Sequence, residues 1–149
     1  MRRLIRIRAE QPVLRRRDFL YGSRLRAIGA KDITWLHPGG REMTASDWHD
    51  PSLHALGLVL HGNAIDELGP HGETITGDTL AMLLNAGKTE VEFDLASHAG
   101  DSQLGWETLV DTLYPPDNGG LVYRTGVPVA VPDRTLLLLR ELPPPAMPD

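Results

Sequence analysis

The spacing of hydrophobic positions changes part-way along the chain. In residues 2–10 the apolar positions are sparse. Leu4 and Ile7, with Ala9 and Leu14 extending the line, form a thin stripe at helical spacing, and Arg fills most of the remaining positions. A short helix over residues 2–10 is predicted. Pro12 interrupts that run and can open a second turn through Val13, Leu14 and Arg15. A helix this short and this basic is marginal in water, so it is expected to lie on a larger body. From residue 53 the period shortens. Val91–Leu95 alternates apolar and charged residues, the pattern of a half-buried strand. Leu56–His61, Thr79–Asn85, Trp106–Asp111 and Arg134–Arg140 are short apolar runs bounded by turn residues; Leu121–Tyr123 and Val127–Val131 are weaker strand candidates.

Six or seven short strands separated by turns predict a mainly β domain, an antiparallel β-sandwich over one shared core. The expected division is a helix in residues 1–20, a long ordered connector in 21–52, the sandwich in 53–142, and an extended or disordered Pro-rich tail in 143–149. A chain of 149 residues with 41% hydrophobic content can build one real core. It is too short for a (β/α)₈ barrel, which needs roughly 200 residues or more. With no Cys, disulfides, thiol nucleophiles and Cys-based metal sites are excluded. Neither a membrane span nor a signal peptide is legible, and the expected compartment is the cytoplasm.

Charge is unevenly placed. Residues 1–31 hold ten of the fifteen Lys and Arg against Glu10 and Asp18, while the rest of the chain is acidic and the whole carries a net charge of −5. A basic arm invites a nucleic-acid reading. The arm lacks interleaved aromatics before Phe19, and the acidic body would repel phosphates, so no nucleic-acid partner is expected. The Arg residues are read as the solvated side of a helix, paired with nearby acids.

The most informative stretch is Lys31–Trp48. It carries two of the three Trp and little regular periodicity, so ordering it demands packing partners. Asp32, Glu42 and Asp47 beside Trp35 and Trp48 could resemble a sugar-cleaving carboxylate pair. The favoured reading is structural: Asp32 and Asp47 accept backbone N–H bonds or cap turns, and the two Trp bury their rings at a junction. The six His form no HxH or HxxxH pair, so no metal is expected. Ser residues lack a Gly-x-Ser-x-Gly setting, and the glycines match neither a dinucleotide nor a P-loop spacing. Gly39-Gly40 after Pro38 reads as a tight turn. Trp106 is expected in the core. Tyr114 and Tyr123, near loops, are the residues freest to stack on a sugar.

Lys31, Asp32, Ile33, Trp35, Gly40, Glu42, Met43, Thr44, Asp47 and Trp48 resemble the segment that leaves the catalytic barrel in bacterial glycogen debranching enzymes of the isoamylase type, glycoside hydrolase family 13. The resemblance continues through Arg15–Gly22, Leu56–Gly62, Leu84–Ala86, Trp106, Asp111-Thr112 and Arg134–Leu139, covering roughly residues 3–142. It implies the C-terminal all-β domain of that family, with the N-terminal helix as the last helix of a barrel that is missing from this chain. The implied parent hydrolyses α-1,6 branch linkages in glycogen or limit dextrins by a retaining double displacement, without a cofactor. The family's nucleophile and general acid belong to the missing barrel, so no catalytic residue is assigned here. Met1 falls inside the stretch that resembles the barrel helix, which implies an excised domain or a separately encoded remnant. Expected partners are the catalytic barrel, in the same or a separate chain, and α-glucan. An apolar face formed by Leu4, Ile7, Leu14, Phe19, Ile28, Ile33 and Trp35 is expected to be exposed when the barrel is absent, which also predicts a homodimer. The alternative is a stand-alone carbohydrate-binding or protein-interaction sandwich without enzymatic activity.

Overall fold

The computed structural model describes residues 1–22, 31–98, 104–115 and 120–143. Ile28, Gly29, Ser23, Ser102 and residues 144–149 of the tail lie outside the described residues. Helix α1 spans Arg2–Glu10, and Pro12–Leu14 forms a single 3-10 turn. Among the described residues eight strands follow: β1 (Ile33–Leu36), β2 (Ala55–Leu60), β3 (Leu80–Asn85), β4 (Val91–Phe93), β5 (Trp106–Asp111), β6 (Val122–Tyr123), β7 (Val129–Val131) and β8 (Thr135–Glu141). Six pair antiparallel in the order β1-β2-β3-β8-β5-β6, and β4 pairs with β7 as a separate two-stranded ribbon. The architecture is an antiparallel all-β domain preceded by one short helix.

The connector, read as a loop from sequence, contains β1. The alternation is there: Ile33 and Trp35 face one side, Thr34 and Leu36 the other. Four residues, one of them a large aromatic, give too short a run for periodicity to register. Pairing supplies the rest, because Ile33–Leu36 adds antiparallel to Leu60–Gly57 of β2.

The six-stranded sheet is apolar on both faces. Its inner face meets the β4–β7 ribbon, where Leu36, Val59, Leu83, Leu137 and Leu139 pack against Phe93, Val129 and Val131. Trp106 is 2% exposed in this core. The outer face is shared with the N-terminal segment. Ile7 of α1 and Val13 of the 3-10 turn pack on Ile33, Leu60, Leu80, Leu138 and Ile65. Ile7 and Ile33 are therefore covered within the chain, which corrects their placement on an exposed face. Leu4 (52%), Ile5 (62%), Phe19 (83%) and Tyr21 (70%) do face solvent.

The tight turn at Pro38-Gly39-Gly40 closes β1 onto the following segment. Arg41 O accepts from His37 N at 2.8 Å, and Met43 N donates to Trp35 O at 2.9 Å. Gly40 has φ +94°, and a Cβ there would stand 2.0 Å from Asp94 O. Only glycine fits both the left-handed backbone and that approach.

Candidate functional site

Two acids organise the connector. The Asp32 side chain is fully buried. Its carboxylate accepts from Tyr21 N (2.9 Å), Gly22 N (2.9 Å) and Ile33 N (2.8 Å). Arg16 Nη1 lies 3.8 Å away, with its side chain 7% exposed, and also donates to Ala64 O. Three amide donors and one cation offset the large cost of removing a carboxylate from water. The result is a latch that ties residues 16–22 to the start of β1.

Asp47 works on the other side of the Gly turn. Arg41 grips its carboxylate with both terminal nitrogens, at 2.6 and 2.8 Å, and Thr44 adds its backbone N and Oγ1, each at 2.7 Å. The Arg41 hydrogen bond, then the two from Thr44, hold the Asp47 carboxyl well below the usual carboxylate range. The same fork raises the Arg41 pKa. Glu42 pairs with Lys31 at the base of the hairpin. Asp50 accepts from Ser52 N and Oγ, which lowers its pKa as well. Arg16 and Arg41 went unremarked in the sequence. Thr44-x-x-Asp47 was the available signal for the Asp47 turn, since that spacing returns a carboxylate to a backbone N–H three residues away.

Trp48 follows Asp47 in a 3-10 turn (Asp47–His49) and sets its ring edge-on to Trp35, with centroids 5.5 Å apart and planes at 79°. Trp35 is half-buried; Trp48 remains 52% exposed. Beneath Trp48 opens a cleft of ≈ 330 Å³ whose walls include Met43, Asp50, His54, Leu56 and Leu84. A second hollow of ≈ 380 Å³ shares Leu84 and Ala86 with it and runs on to Leu136, Thr112 and Arg134. Leu56, Leu84 and Leu136 are cross-strand neighbours on β2, β3 and β8, so they form one continuous floor.

The two tyrosines lie elsewhere. Tyr123 packs against the inner core, and burial raises its pKa. Tyr114 is 73% exposed, just after β5. Among the His, His61 shares a hydrogen bond with Thr34 Oγ1, and His98 Nε2 donates to Gly40 O at 2.6 Å. No three His, Cys, Asp or Glu side chains converge on a common metal position among the described residues. No described helix is long and apolar enough to cross a membrane.

Residues 32–135 match the family described as "Isoamylase, C-terminal", a span that starts at the buried Asp32 and runs into β8. The chain belongs to the isoamylase C-terminal family. It is also 34% identical over 141 residues to the glycogen operon protein GlgX homologs of Mycobacterium bovis and Mycobacterium tuberculosis. That similarity takes in 94% of the chain but 19% of each relative, so the chain spans about a fifth of the length of the curated relatives it matches. By family and by fold it is an all-β C-terminal domain.

Proposed function

We propose that this chain is the non-catalytic C-terminal part of a glycogen debranching enzyme of glycoside hydrolase family 13, and that it supports a catalytic barrel docked on its outer face. The parent would cleave α-1,6 branch linkages of glycogen or limit dextrins in the cytoplasm. The observation that carries this reading is the combination of family membership with the short share, 19%, of the relatives' length. Residues 1–20 act as the last barrel helix and 21–52 as the connector. Asp32, Trp35, Glu42, Asp47 and Trp48 order that junction through the latch, the hairpin pair, the Arg fork and the Trp–Trp contact.

The exposed side chains favour docking at the α1 end. Leu4, Ile5, Phe19, Leu20 and Tyr21 are apolar or aromatic, and all are at least 40% exposed. Exposed apolar side chains of this kind, at both ends of the N-terminal segment, are what a covering partner would bury. The test is reconstitution. The purified chain is assayed on glycogen alone, then with the remainder of a mycobacterial relative from which the matching fifth has been removed. Inactivity alone with rescue of branch hydrolysis on mixing is the expected result. Activity of the chain by itself, or no complex at high concentration, overturns it.

A further inference from the structure

The outer face has a second region, away from the α1 end where docking is placed. α1 and the 3-10 turn cover the Ile33–Leu60–Leu80 end of the sheet. Leu56 is four residues from Leu60 along β2, so the Leu56–Leu84–Leu136 row lies about 13 Å from that end. There the two joined hollows form a groove running across the strands rather than along them. From β2 to the end of β5 it crosses three strand spacings, about 14 Å, before Trp48 extends it.

The chemistry of the groove is specific. Its floor is aliphatic, and a half-exposed Trp48 stands at one end with its ring fixed edge-on by Trp35. Its rim carries Asp47, Asp50 and His54 on the Trp48 side, and Thr112 and Arg134 on the other. Asp47 and Asp50 are held in place by Arg41, Thr44 and Ser52, which also keep both ionised at neutral pH. Asp47 is already paired with Arg41 and largely covered, so the carboxylate an incoming surface has to accommodate is that of exposed Asp50. An apolar protein surface laid over it is costly without a cationic partner. A ligand rich in hydroxyl donors avoids that cost, and its C–H faces match the aliphatic floor and the indole. A concave, mainly apolar site with a few fixed polar groups is the usual form of a small-ligand site.

We propose that the Trp48 groove binds a linear α-glucan segment of a few glucose units, tethering the substrate away from the catalytic barrel. The choice of glucan rests on the debranching reading above; the groove itself does not. Trp48 is the stacking platform, and Asp50 and His54, which line the same cleft, are the polar contacts.

The experiment is an NMR titration of the intact chain with maltoheptaose, following the three indole N–H signals. Trp48 is expected to shift saturably while the buried Trp106 does not. Trp48→Ala weakens binding about tenfold, in line with the upper end of one aromatic contact. Trp48→Phe, which keeps an aromatic face, retains most of it, and Tyr114→Ala changes nothing. Circular dichroism confirms that each variant is folded. Absence of a saturable shift overturns the proposal. So does binding unchanged in folded Trp48→Ala, or a Trp48 shift that follows chain self-association rather than added sugar. Each of those outcomes leaves docking to the barrel intact, because that is read by reconstitution at the α1 end.

Discussion

The two faces of the six-stranded sheet are both apolar, yet only one is closed. On the inner face Leu36, Val59, Leu83 and Leu139 are 0% exposed beneath the β4–β7 ribbon. On the outer face a cross-strand row runs Trp35–Leu58–Met82–Leu138–Val110, and all of it except Leu138 keeps some contact with solvent. A free-standing antiparallel sheet normally alternates apolar-in with polar-out. This one reads as the middle layer of something thicker, with one cover supplied by the chain and the other only begun by α1. The difference separates residues that hold the domain together from residues that the proposed barrel would cover.

The comparison breaks first if core truncations cost the same on both faces. Phe93→Ala should destabilise the domain by about 3–5 kcal/mol, because it leaves a cavity under the sheet. Leu58→Ala on the half-open face should cost much less, about 1 kcal/mol, since that side chain buries less area. Urea unfolding of both variants decides this, and equal losses would remove the distinction. Next in size is Asp32→Ala. It strands the buried Arg16 guanidinium and three amide donors, for an expected loss of about 3 kcal/mol in the same measurement. Gly40→Ala should cost about 1–3 kcal/mol through backbone strain and the clash with Asp94 O, read as a lowered thermal midpoint.

The smallest effect is a pH dependence. Burial lowers the His61 pKa below its ordinary 6.5. The unfolded chain then binds a proton that the native state resists. His61 therefore costs no stability above the ordinary value, and stability declines as the pH falls through it. Replacing His61 with Gln should flatten that slope between neutral and mildly acidic pH. Asp47 acts in a lower window: its depressed pKa contributes stability above the ordinary 3.8, lost as the pH falls through and below it.

Much of this organisation was legible in the residues. Helix α1 followed from the Leu4–Ile7 stripe and Pro12, and the strand at Trp106–Asp111 from its bounded apolar run. Strand order was not legible, since β8 inserts between β3 and β5, and no local pattern encodes that pairing. The second apolar face hid for a related reason. Leu80–Leu84 and Leu136–Leu139 are apolar at every position, which shows that both faces are apolar without saying what lies against each. Asp32 stood out as an unusual acid among apolar neighbours, but its Arg16 partner is sixteen residues upstream and became visible only through the fold. The groove came from three leucines on three strands, brought into line by register alone.

The most direct test of the central claim is amide hydrogen exchange on the chain alone and on the same chain joined to the remainder of a mycobacterial relative. Added protection in Arg2–Glu10, around Phe19–Tyr21 and along β1 is expected, with β4 and β7 unchanged. Protection confined to the β4–β7 ribbon, or none anywhere, would contradict an outer face built to receive the barrel.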